Sequence, residues 1–286
     1  MPYSYTKNEL TDFFYESLHM FNSCLDSDIN KDNVLLDFFA PENGVKIYER
    51  FCKSRFPKLL DEPYKTPGYF EAFGAQAFVN ENQYGVLIRE DIDFSIDDLL
   101  LMFLHELSHL YCTKNEIEGG NFFDKYCTGS GIEDGMMNAG YAIWREAIAD
   151  IMADSIAGDG YALFSLAEFK KVVIGYYNSL SIDDPNSKKA MSLIIAYTMI
   201  SKEVSVTEDW SKAEKEIKRI LKFDDPVVIA LLKMVFDKLH RSPYWEITPD
   251  FIIELGKTYL ELLSNKTVMN FQNAIRSDVK RINEET

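Results

Sequence analysis

The sequence predicts an α+β protein, with a small β-hairpin or sheet and one marked helix in its first half and a mostly α-helical second half. Three observations carry that reading. In EAFGAQAFVNENQYGVLIRE two β-prone runs flank a polar turn, Asn80 to Gln83, which is hairpin patterning. Ser95 with Asp98 forms a capping-box pattern just ahead of apolar residues at helical spacing. Beyond Gly160 no strand signal is convincing, and the breakers DDPNS, FDDP, RSPYW and ITPD separate helical stretches.

Taken in order, Thr6 and Glu9 make a T-x-x-E capping box, and apolar residues through Phe21 support a first helix. A second helix is expected from about Gly44 to Phe56. Pro57, Pro63 and Pro67 then break regular structure. The hairpin follows, and Asp91, Asp93 and Ser95 end it. The next helix carries the stretch LHELSHLY, residues 104 to 111. From Lys114 to Asn138 the chain is punctuated by EGG, TGSG and EDG, the mark of a long irregular connection. An apolar helix, AGYAIWREAIADIMADSIAG, is expected between a cap at Asn138 and a stop at Gly158. Later helices are expected near 161–179, 187–204, 208–222, 226–241, 249–264 and 268–282. In the third of these Trp210, Ala213, Ile217 and Ile220 recur at helical spacing.

Composition narrows the function classes. Hydrophobic residues are 47% of the 286, enough for a sizeable core. The formal net charge of -16 argues against nucleic acid, whose phosphates need clustered Lys and Arg, and against anionic membrane surfaces. No basic segment followed by an apolar run opens the chain, and no apolar run is long enough for a transmembrane span. Cys24, Cys52, Cys112 and Cys127 include no C-x-x-C pair and suggest no disulfide framework. A cytoplasmic location is the expectation.

The chemistry lies in His105-Glu106-Leu107-Ser108-His109. On a helix, positions i and i+4 share a face, so both imidazoles can reach one ion. Zn²⁺ is the usual occupant of such a pair, and Glu106 is placed to take a proton from water that the metal acidifies. The alternative is a helix with two incidental histidines and a glutamate. A catalytic zinc needs a third protein ligand and an open position. An H-E-x-x-H-x-x-G-x-x-H pattern would need Gly and His where this chain has Cys112 and Asn115, so that solution is excluded.

WREAIAD supplies another. Glu146 lies 37 residues past His109, Asp150 is one turn further on, and Asp154 extends the stripe. Between Ala139 and Ala157 the other residues are almost all apolar, apart from Arg145. A helix this apolar is largely buried, and buried carboxylates require a partner, a metal or a proton. Zinc accounts for Glu146. Asp150 is placed to accept the free N–H of a ligand histidine and hold its tautomer. Otherwise the three acids form a solvated strip with Arg145 pairing locally.

His105-Glu106-x-x-His109 with Glu146-x-x-x-Asp150 resembles the gluzincin group of zinc metallopeptidases, the thermolysin-like zincins, over about a sixth of the chain. The spacing to Glu146 is longer than in thermolysin itself, and no family within the group is assigned. The resemblance implies a zincin-like catalytic region over 1–160 and an all-α lobe over 161–286. It implies peptide-bond hydrolysis with a peptide or protein substrate, zinc held by His105, His109 and Glu146, and Glu106 as general base. It further implies an edge strand that pairs with extended substrate, a role that Tyr84 to Arg89 fits through Val86, Leu87 and Ile88. A Tyr or His often stabilises the oxyanion in this group; His240 is a candidate, with Tyr244, Tyr126 and Tyr141 as further options. His240 equally suits a helix end, where a cation meets the dipole.

Two alternatives belong to other classes. One is a non-catalytic protein on a zincin scaffold, binding metal for stability and acting through a partner. The other is a metallohydrolase of non-peptide amides; peptide deformylases share H-E-x-x-H but add an upstream cysteine motif that this chain lacks. Cys112 reads as a buried structural thiol and His19 as a packed or half-exposed residue. The acids Glu116, Glu118, Asp124, Glu133 and Asp134 form no EF-hand pattern.

Overall fold

A computed structural model describes residues 4–56, 64, 69–71, 73–80, 83–117, 122–129, 131–158, 209–221, 226–239 and 246–263. The chain divides into two compact units, one of Met1–Asn115 with Ala149–Leu163 and one of Glu116–Ile148 with Phe164–Thr286. The expected boundary at residue 160 lies outside the described residues, as do the helices expected near 161–179, 187–204 and 268–282. The class is mixed α+β: several helices and one three-stranded sheet.

In the first unit, α1 (Lys7–Cys24) begins where the capping box places it. The Thr6 hydroxyl accepts from the Glu9 N–H at 3.3 Å, and the Glu9 carboxylate accepts from the Thr6 N–H at 2.7 Å. The same reciprocal cap starts α3 (Ile96–Lys114) at Ser95 and Asp98. Between them lie β1 (Val34–Phe39), α2 (Gly44–Arg55), β2 (Ala75–Asn80) and β3 (Gln83–Arg89). The hairpin is present: β2 and β3 pair antiparallel, with Asn80 opposite Gln83.

The strand β1 has no counterpart in the sequence reading, and it changes the role of β3. The order is β1-β3-β2, with β1 parallel to β3 and Val34 opposite Tyr84. Tyr84–Arg89 is therefore the central strand, not an edge. Val86, Leu87 and Ile88 have both backbone sides taken up by neighbours and cannot pair with a substrate. The physical reason is burial on both faces. Tyr84, Val86 and Ile88 join one apolar cluster, with Leu99, Phe103, Leu104 and Leu107 of α3 and Leu10, Phe14 and Phe21 of α1. Leu87 joins another, with Tyr48, Phe51 and Cys52 of α2. A strand covered on both faces reads as a continuous apolar run rather than an alternating one, and YGVLI is such a run.

The second cluster is aromatic. Phe39, Tyr48, Phe51, Phe56, Tyr64, Phe70 and Phe78 fill it, with Tyr48 and Tyr64 stacked at 5.0 Å and Phe51 and Phe56 at 5.3 Å. Gly85 of β3 makes this packing possible, since a Cβ there would stand 2.6 Å from Phe51 and 2.7 Å from Phe56.

In the second unit, α4 (Phe122–Tyr126) interrupts the segment expected to be irregular. The helix α5 (Ile132–Ala157) begins six residues before Asn138, which is therefore inside it rather than its cap. Its C-terminal turns, from Ala149, belong to the first unit. There Ala153 and Ala157 enter the apolar cluster shared by α1 and α3. The helix stops where expected, at Gly158: φ is 75°, in the left-handed region that suits glycine, and its N–H reaches the Asp154 carbonyl at 3.2 Å. Three further helices follow: α6 (Trp210–Leu221), α7 (Pro226–Leu239) and α8 (Pro249–Leu263). Both prolines occupy a first helical position, where the missing N–H is not needed. No described helix is long and apolar enough to cross a membrane.

Candidate metal centre

Helix α3 buries Leu99, Leu100, Phe103, Leu104, Leu107 and Leu110. That anchoring draws the polar residues of LHELSHLY inward too: Glu106 is 7% exposed, Ser108 0% and His109 4%. Buried polar groups cost free energy unless they are satisfied. Ser108 donates to the Leu104 carbonyl one turn back, at 2.7 Å.

The two imidazoles converge. His105 Nε2 and His109 Nε2 are 2.9 Å apart, with the rings nearly perpendicular at 87°. Glu146 of α5 joins them: one ligand atom from each of His105, His109 and Glu146 lies within 4.8 Å of the others. On the same helix, one turn beyond Glu146, Asp150 Oδ1 lies 2.6 Å from His105 Nδ1. An ionised carboxylate only accepts, so Nδ1 carries the proton and Nε2 presents a lone pair to the centre of the group. The donor set is two imidazole nitrogens and one carboxylate oxygen, which can hold a metal ion; nitrogen and oxygen donors of this kind suit zinc among others. For a tetrahedral ion with bonds of about 2.05 Å, two donors sit about 3.3 Å apart. The 2.9 Å separation asks only a small opening of the pair.

His105, His109 and Glu146, which the sequence reading groups together, lie within reach of one another on α3 and α5. Glu146 and Asp150 are half-buried, Glu146 near the two histidines and Asp150 against His105 Nδ1. His240 and Tyr244 lie outside the described residues. Tyr141 stacks on Phe122 at 6.1 Å, and Tyr126 packs against the same ring at 5.0 Å. Cys112 is a buried thiol, as expected, and its Sγ meets Met152 Sδ of α5 at 3.1 Å. His19 is exposed. Asp134 accepts from the Thr128 N–H at 3.0 Å and from its hydroxyl, tying the preceding turn to the start of α5. Its charge and local burial raise the neighbouring Cys127 thiol, burial being the larger cause.

Sequence reasoning missed Met136 and Gly140 as packing residues of α5. Their spacing of four, continued by Trp144, was the available signal.

No family model, curated protein or solved structure matches this chain. Fold and site together define an α+β protein whose His105, His109 and Glu146 can hold a metal ion.

Proposed function

We propose that this protein is a zinc-dependent peptidase. The observation that carries the reading is the convergence of His105, His109 and Glu146, with Asp150 on His105 Nδ1 and Glu106 next in the chain. The resemblance to gluzincins rests on these same residues, and so does the expectation of a zincin-like catalytic lobe. Three protein ligands leave a fourth position for water or substrate. When bound, zinc supplies Lewis acidity, polarising a peptide carbonyl and acidifying water.

The chain's own residues do the rest. Glu106 takes the proton from the attacking water and delivers it to the departing amine nitrogen, acting first as base and then as acid. Asp150 keeps the His105 proton on Nδ1, so that Nε2 stays a donor of electrons. The fully buried leucines of α3 fix the direction of both histidines. The four cysteines form no disulfide among the described residues, which supports a reducing compartment, and the cytoplasm is the proposed location.

Metal analysis with a peptide-cleavage assay tests the reading. The wild-type chain should hold equimolar zinc and His109→Ala none. Glu106→Gln should keep the metal and lose hydrolysis. A fully active Glu106→Gln variant, or a wild-type protein that takes up no zinc, ends the proposal.

A further inference from the structure

We propose that α8 is a positioning element for the metal ligand Glu146, acting through a glycine-on-glycine crossing with α5. This rests on the reading above, in which His105, His109 and Glu146 hold zinc.

At the crossing the two helices meet backbone to backbone. A Cβ at Gly140 would stand 2.0 Å from the Ile252 carbonyl oxygen and 2.8 Å from the Gly256 nitrogen. A Cβ at Gly256 would stand 1.8 Å from the Met136 carbonyl oxygen. One turn on, Trp144 is wholly buried and meets Phe251 of α8 edge-on at 5.5 Å. Its Nε1 has no hydrogen-bond partner among the described residues, and the ring is held by packing. Met136, Gly140 and Trp144, four residues apart, form the face of α5 that α8 covers. Glu146 comes two residues after Trp144, about 160° away round the helix, and so leaves α5 on a side turned from α8. Helix α8 therefore backs the turn that carries the ligand.

Ordinary contact begins near 3.4 Å. A methyl group at Gly256 therefore forces the crossing open by more than an ångström. A site built for one geometry tolerates only about 0.5 Å. The oxygen of Glu146 would leave its place beside the histidines while the histidines stay where α3 holds them.

The test is a double-mutant cycle on the full chain. Zinc affinity is measured by competition with a chromophoric chelator for wild type, Gly256→Ala, Glu146→Gln and the double variant. Gly256→Ala should weaken zinc binding about tenfold or more. In the Glu146→Gln background the same change should add less than twofold, because the ligand it displaces is already gone. If Gly256→Ala does not fold, Phe251→Leu, which loosens the hold on Trp144 without a wedge, takes its place in the cycle with the same pattern expected. An unchanged affinity, or an equal loss in both backgrounds, overturns the positioning role while leaving the metal reading intact. A wild-type chain that binds no zinc overturns both.

Discussion

Asp150 Oδ1 lies 2.6 Å from His105 Nδ1, joining residues 45 apart in the chain. The pair fixes which nitrogen of His105 faces His109 and Glu146, and it does so with a carboxylate on the helix that also carries Glu146. On the proposed reading, in which the group holds zinc, Asp150→Ala should lower zinc affinity about 10–100-fold with helix content unchanged. Chelator competition and far-UV circular dichroism together check this. An affinity equal to wild type would show that the tautomer is set in some other way.

Gly85 lies beneath Phe51 and Phe56 in the middle of the central strand. Gly85→Ala should destabilise the fold by about 1–3 kcal/mol, because stacked rings in a filled aromatic cluster have little room to withdraw. Urea unfolding followed by tryptophan-independent circular dichroism measures it. No loss would mean that the rings yield freely.

Tyr84 is fully buried, and its hydroxyl donates to Asp28 Oδ1 at 2.5 Å. Burial first, then the Asp28 hydrogen bond and charge, raise its phenol above the ordinary value. In the unfolded chain the phenol ionises near pH 10. Its contribution is thus complete below about pH 10 and is lost as pH rises from there toward the folded-state value. Unfolding midpoints taken from pH 8 to 11 should fall more steeply in wild type than in Tyr84→Phe. Parallel slopes would remove Tyr84 from the alkaline response.

The four thiols should separate by reactivity. Cys24 is exposed, Cys127 half-buried, and Cys52 and Cys112 buried. Burial pushes the Cys52 thiol up to about 11, against a smaller opposing effect of its hydrogen bond with Tyr48. Thiolate is the reactive form. Alkylation at pH 8, read by peptide mass, should mark Cys24 first and leave Cys52 and Cys112 untouched until denaturant is added. Native labelling of Cys52 would contradict the burial.

Much of the candidate site was legible because its chemistry is local. A capping box names the start of α3 within four residues, H-E-x-x-H needs only one helical turn, and Glu146 and Asp150 stand out on an apolar helix. What was not legible depends on partners distant in sequence. VLLDFF of β1 carries no alternation, and its parallel partner begins 50 residues later, at Tyr84. Without β1, the hairpin's second strand looks like an edge. The early start of α5 was hidden by Gly131, Gly135 and Gly140, which punctuate the sequence as a loop would. Yet Gly140 sits in the helix because α8 needs the space.

The spacing of the two carboxylates on α5 limits what the chain can gain or lose there. Glu146 and Asp150 are four residues apart, one turn of the same helix. Inserting or deleting a single residue between them would turn one end against the other by about 100° and shift it by about 1.5 Å. Side chains within that interval can be exchanged, but a residue gained or lost there would part the two carboxylates.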